Sequence, residues 1–192
     1  VREERCETYS LELNITVENM SITGWIHQVQ ADGLVRWRPA ALTAVDGLLL
    51  WVEHVVYCAA GGKGESRMYG RKGTAWRFGP LEACEAQANL QILLEGYQKG
   101  MSRPLLLLSK SGWAWLSQCF NAESGQILWD EDTQEKARNK LLLAWQGSQQ
   151  IAGEGEDPYI QRVFRHMDSA RLAMILQETE RYLLPVAQHN RV

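Results

Sequence analysis

The sequence has no Cys-x-x-Cys pair. Its four cysteines, Cys6, Cys58, Cys84 and Cys119, stand far apart, so a structural zinc site has no ligand spacing to build on. They are expected as free, mostly buried thiols of a reducing cytosol. No apolar run approaches the ~20 residues a membrane helix needs; the longest, residues 47–52, is interrupted at Glu53. Residues 1–7 are charged with no apolar stretch behind them and do not resemble a signal peptide. A chain opening on Val1 instead of Met reads as a piece of a longer protein.

Catalytic signatures are missing too. Lys63 and Lys72 both neighbour glycine, but neither sits in a phosphate-binding loop of the G-x-x-x-x-G-K-[ST] form. Gly62-x-Gly64 lacks the third glycine of a dinucleotide fingerprint, and no G-x-S-x-G elbow occurs. His27, His54, His166 and His189 form no H-E-x-x-H pair. ATP hydrolysis, hydride transfer, serine hydrolysis and zinc proteolysis therefore have no support.

What is present is ordinary globular material. The 192 residues are 45% hydrophobic and 22% charged, enough for one domain over residues 1–192 with a core of its own. The net charge of −3 is unevenly spread. Between Arg36 and Arg77 stand seven Lys/Arg against three acids, so that segment is +4 and the remainder −7. A local basic zone can hold phosphate on an acidic protein; a solvated sheet face gives the same pattern.

Residues 9–17 alternate apolar and polar, the period of a half-buried strand. Residues 21–30 are a second strand, with Gly24 as a bend, and Ala31-Asp32-Gly33 turns the chain into a third, residues 34–38. From residue 40 to 60 the period changes. Leu42, Val45, Leu49, Val52, Val55 and Val56 recur at three and four, giving a long helix stopped by Gly61-Gly62. A short hairpin surrounds residues 70–73. Pro80 is expected to open a helix that turns Leu90, Ile92, Leu93 and Tyr97 inward, and residues 104–108 form a wholly apolar buried strand. Beyond Ser109 the pattern is mostly helical. Residues 133–146 and 168–184 are the strongest helices, with Asp168 as N-cap and Pro185 as stop; Pro158 opens another helix after an acidic loop at 153–157. Strands early and helices late give an α+β domain, a mixed sheet with helices on its faces and extra helices at the C-terminal end.

The first hairpin has a recognisable frame. Nucleases of the PD-(D/E)XK (restriction-endonuclease-like) kind carry an Asp on one strand and an acid-x-Lys on the next, so that Mg²⁺ bridges the carboxylates to the scissile phosphate. Ile22-Thr23-Gly24-Trp25-Ile26-His27 matches the first strand, with His27 where the Asp belongs. Leu34-Val35-Arg36-Trp37-Arg38-Pro39 matches the second, with Arg36 in place of the acid and Arg38 in place of the Lys. Arginine is a permanent cation without a lone pair for a metal. One imidazole does not hold Mg²⁺, which prefers oxygen. The site is therefore expected to take no metal. Arg36 and Arg38 either contact phosphate or pair with acids such as Glu12 or Glu53 and close the pocket.

This degenerate pattern resembles the gamma subunit family of exodeoxyribonuclease V (RecC type). The likeness runs from Gly24-Trp25-Ile26-His27 through Trp37-Arg38-Pro39, and includes Leu50-Trp51-Val52-Glu53-His54, Leu94-Glu95-Gly96-Tyr97, the acidic loop and Leu183-Leu184-Pro185. It implies the C-terminal end of a large subunit in a bacterial, cytoplasmic DNA-repair complex. The implied role is non-catalytic and without cofactor: a scaffold that guides DNA ends and docks the alpha and beta subunits, with no membrane partner. Expected DNA contacts are Arg36, Arg38, Lys63, Arg67, Arg71 and Lys72. Of eight tryptophans, Trp113 and Trp115 are the expected partner contacts, the rest mostly core. The competing readings are an active Mg²⁺ nuclease with a displaced site at Glu12, Asp32 and Glu53, and a standalone binding protein.

Overall fold

The first hairpin forms as its alternation predicts. In a computed structural model that describes residues 7–73 and 75–191 (the side chain of Lys72 excepted), β1 (Tyr9–Val17) pairs antiparallel with β2 (Met20–Gln30). Leu13 and Ile15 of β1 and Ile26 and Val29 of β2 are buried. The third strand, β3 (Gly33–Trp37), continues the meander. Gly33 is required there: its φ is 131°, and a Cβ would lie 1.9 Å from the Glu65 carbonyl oxygen.

A crossover helix then returns the chain parallel to β3, as β4 (Glu65–Tyr69), and β5 (Ala75–Phe78) pairs antiparallel with β4. The result is a mixed five-stranded sheet in the order β1-β2-β3-β4-β5. The crossover is α1 (Ala44–Ala59). The Asp46 carboxylate starts it by accepting from the Thr43 backbone N–H at 2.7 Å and the Thr43 hydroxyl at 2.9 Å. Gly61, at φ 89°, ends it, with its N–H donating to the Cys58 carbonyl.

The described residues divide into two compact units, 7–97 with 189–191, and 98–188. The first holds the five-stranded sheet and α1. α2 (Ala83–Ser102) starts in the first unit and ends in the second. The second holds α3 (Ser109–Cys119), a two-stranded hairpin β6 (Phe120–Asn121) and β7 (Gln126–Ile127), α4 (Glu131–Gln146), α5 (Pro158–Val163), α6 (Ser169–Tyr182) and most of α7 (Leu184–His189). Trp115, Leu116, Leu141, Ile175 and Leu183 are among its fully buried side chains.

Several expectations are corrected. Residues 104–108 are not a strand. They run as an unpaired connection into α3 with Leu106 and Leu108 buried, so apolar content alone gave the wrong element. Pro80 precedes α2 by three residues, and Tyr97 points outward, 65% exposed. The helix from Ser169 does end before Pro185, at Tyr182, but a short helix follows at once, with Pro185 in the first turn of α7, where its missing N–H costs nothing. Most consequentially, α1 buries Gly47, Leu50, Trp51, His54, Val55 and Cys58, while Val45, Leu49 and Val52 of the predicted apolar series face outward. Cys58 and Cys119 are buried and Cys84 is exposed; Cys6 lies outside the described residues. No described helix is long and apolar enough to cross a membrane.

Candidate functional site

The hairpin frame singled out in the sequence converges on Arg36. Strand β2 bulges opposite β1: Leu11 pairs with Ile26 and Tyr9 with Val29, so Ser10 faces both His27 and Gln28. Gln28 takes the left-handed φ of 57° that such a bulge needs. The guanidinium of Arg36, on the neighbouring β3, reaches the bulge and donates to the carbonyls of His27 at 3.0 Å and Gln28 at 3.3 Å. It also donates to both carboxylate oxygens of Glu53 on α1, from Nε at 3.0 Å and from Nη2 at 2.5 Å. This is the fork-to-fork pairing that arginine makes and lysine cannot. A permanent cation therefore fills the space between one carboxylate and two main-chain oxygens, tying β2, β3 and α1 together. His27 itself is exposed and bonds through Nδ1 to the Ser10 hydroxyl at 2.9 Å.

The other expected cations are held largely by acids. Arg38 donates to Asp46 Oδ1 at 2.6 Å. Burial pushes the Asp46 carboxyl up, but bonds from the Thr43 N–H, Arg38 and the Thr43 hydroxyl outweigh it and hold it below the usual carboxylate range. Arg67 pairs with Asp32 and lies 3.8 Å from Glu65, which also approaches Arg77 at 3.6 Å. Arg71 donates to the Pro39 carbonyl at 3.1 Å. Lys63 precedes β4 and Arg71–Gly73 follow it. The strand therefore lies between Lys63 and Arg71 along the chain.

The acids of a displaced catalytic site are not brought together. Glu53 is bound to Arg36 and Asp32 to Arg67. Glu12 lies across from Trp25 and lines a shallow polar depression with Asn14, Thr16, Ala59, Ala60 and Gln87. Among the described residues, no group of three His, Cys, Asp or Glu side chains is placed to hold a metal ion.

Sequence reasoning missed the role of His54. It is fully buried on α1, bonded through Nδ1 to the Ser66 hydroxyl at 2.7 Å and through Nε2 to the Gly79 carbonyl at 2.8 Å. Burial is the main reason its pKa falls to about 4, helped by the nearby His189 and Arg191 charges. It is a neutral polar pin joining α1 to β4 and the chain after β5. The only sequence signal was its place on the helix face opposite Val45 and Leu49.

In the second unit Trp115 has no exposed surface. Its indole N–H donates to Gln134 at 3.2 Å and its ring lies 6.2 Å from Trp129. The expectation of Trp115 as a partner contact is corrected by that burial; Trp113 is half-buried. The acidic loop is structural. Glu154 accepts from the backbone N–H groups of Lys110 at 3.1 Å and Ser111 at 2.7 Å, capping the start of α3, and Asp157 caps α5.

Comparison with known proteins gives the family. Residues 1–120 match the model of the RecC C-terminal domain. The RecBCD enzyme subunit RecC of Escherichia coli (strain K12) is 46% identical over 182 residues, covering 95% of this chain and 16% of that subunit. The RecBCD enzyme subunit RecC of Buchnera aphidicola subsp. Acyrthosiphon pisum (strain APS) is 33% identical over 190 residues, covering 99% of this chain and 18% of that subunit. This chain thus spans less than a fifth of these relatives. With a family model matching well over half of its residues, the chain belongs to the RecC C-terminal domain family.

Proposed function

We propose that this chain is a non-catalytic domain of a RecBCD-type helicase–nuclease complex. In this reading it is a degenerate PD-(D/E)XK fold that serves as scaffold and partner-docking surface in the repair of broken DNA ends. The observation that carries the reading is the Arg36 cluster. On the hairpin where the fold's chemistry needs a metal-binding acid, a guanidinium is bound to Glu53 and to two main-chain carbonyls. A site whose oxygens already serve a fixed cation has no place for Mg²⁺. The alpha and beta chains of exodeoxyribonuclease V are the proposed partners, with Trp113 as a proposed contact. The DNA-guiding part of the reading keeps the expected contacts Arg36, Arg38, Lys63, Arg67, Arg71 and Lys72, of which Arg36, Arg38 and Arg67 also pair with carboxylates.

The test is made in the assembled three-chain complex. Glu12→Gln, Asp32→Asn and Glu53→Gln are introduced singly, and cutting of a DNA end is compared at equal assembly. The reading expects each variant to stay within about twofold of the parent. A loss of about 100-fold in any one, nearly 3 kcal/mol of transition-state stabilisation, would assign the chemistry to this domain.

A further inference from the structure

Helix α1 carries an apolar face that stays exposed among the described residues. With 3.6 residues per turn, Val45, Leu49, Val52 and Val56 fall on one narrow stripe. Val45 is 44% exposed, Leu49 62% and Val52 38%. The opposite side of the helix is the one that packs down, through Leu50, Trp51 and His54. The two acids of α1 bring no charge to the stripe, since Asp46 is bonded to Arg38 and Glu53 to Arg36. A solvated helix in the same chain looks different: α4 exposes Glu135, Lys136, Arg138 and Lys140. An exposed helix stripe without charge has the composition of the core of a permanent interface. The i, i+4, i+7, i+11 spacing is the seam that takes a second helix lengthwise.

We infer that a helix from elsewhere in the full-length subunit, with an apolar seam of its own, packs along Val45, Leu49, Val52 and Val56. The source is chosen by chain length and by composition. Relatives that align with 95% of this chain carry it as only 16% of their length, so most of such a subunit lies outside it. A bare apolar stripe also suits a contact that never opens, as within one chain, better than one that assembles and parts. The inference rests on the family reading and names what the scaffold holds.

The experiment uses the full-length subunit, purified alone and then with its partner chains. A photo-crosslinking residue, p-benzoylphenylalanine, replaces Leu49 or Val52, with Glu135 on α4 as the solvated control. Irradiation of the subunit alone is expected to give an intrachain cross-link. Its mass would be unchanged, and peptide mapping would place the other end outside residues 1–192. Leu49→Lys is expected to lower the melting temperature of the full-length subunit, whereas Glu135→Lys leaves it unchanged. The inference is overturned by cross-linking no greater than at position 135, by a product of doubled mass, which means a second copy, or by a cross-link that needs a partner chain. Failure of the non-catalytic reading would show instead as lost cutting in the assembled complex, with the cross-link map unaffected.

Discussion

At the scale of single residues, Arg36 and His54 are polar groups, part-buried and buried, whose partners tie elements of the first unit together. Arg36→Ala leaves Glu53 and the bulge carbonyls of His27 and Gln28 without their donor. Because the pair is partly solvated, the expected loss is about 1–3 kcal/mol, between surface and buried ion pairs. Arg36→Lys is expected to recover only part of it, since a lysine cannot bond both Glu53 oxygens in a fork. Urea unfolding midpoints check both; an unchanged midpoint in Arg36→Ala would contradict the lock. His54 makes a pH prediction with a definite sign. Its folded pKa, about 4, lies below the ordinary value of 6.5. The unfolded chain therefore binds the proton first, and the His54 contribution is complete above pH 6.5 and lost as pH falls toward 4. A shift of that size is worth about 3 kcal/mol at most. Unfolding measured from pH 7.5 to 4.5 should show the slope, and His54→Gln should flatten it. At this scale the sequence was informative where charge was out of place: the substitution of acid and lysine by Arg36 and Arg38 was visible in the hairpin frame. Glu53, 17 residues away, was one of the two acids named as partners, and Arg36 takes it, whereas Asp46, the partner of Arg38 only eight residues away, was not named.

At the scale of elements, period was easier to read than orientation. Helix α1 was predicted over residues 40–60 and runs from Ala44 to Ala59, yet the series Val45, Leu49, Val52 marks its outer side. The cause is physical: α1 is apolar on both faces, and the 3.6-residue period locates a stripe without saying which of two stripes is inside. Gly47 decides it. A Cβ there would meet the Trp76 ring at 2.5 Å, so this side must lie against β5. Residues 104–108 failed for a related reason, since five apolar residues fit a buried connection as well as a buried strand. The acidic loop, read from the sequence only as a loop, supplies caps through Glu154 and Asp157. Glu154→Ala is expected to cost about 1 kcal/mol through α3, and Glu154→Gln less, because the amide oxygen still accepts from Lys110 and Ser111. Thermal unfolding of the two variants checks the order; equal losses would mean that charge, not hydrogen bonding, does the capping.

At the scale of the molecule, the mixed sheet, the early strands and the late helices were legible, and the family was legible in the runs around Trp25, Trp37 and Trp51. Of the ion-pair pattern only the Arg36–Glu53 pairing was among the sequence alternatives. A segment of charge +4 in sequence becomes, once folded, a set of arginines facing Asp32, Asp46, Glu53 and Glu65. A basic run is a poor guide to a nucleic-acid surface when its acids sit on neighbouring strands and one helix. The central claim is that the hairpin site is closed by Arg36 and takes no catalytic metal. Its most direct test is calorimetric titration of this chain with Mn²⁺, repeated with a labelled DNA end present to score cutting. The account predicts no saturable heat and an intact DNA end. Saturable binding accompanied by cleavage would contradict it.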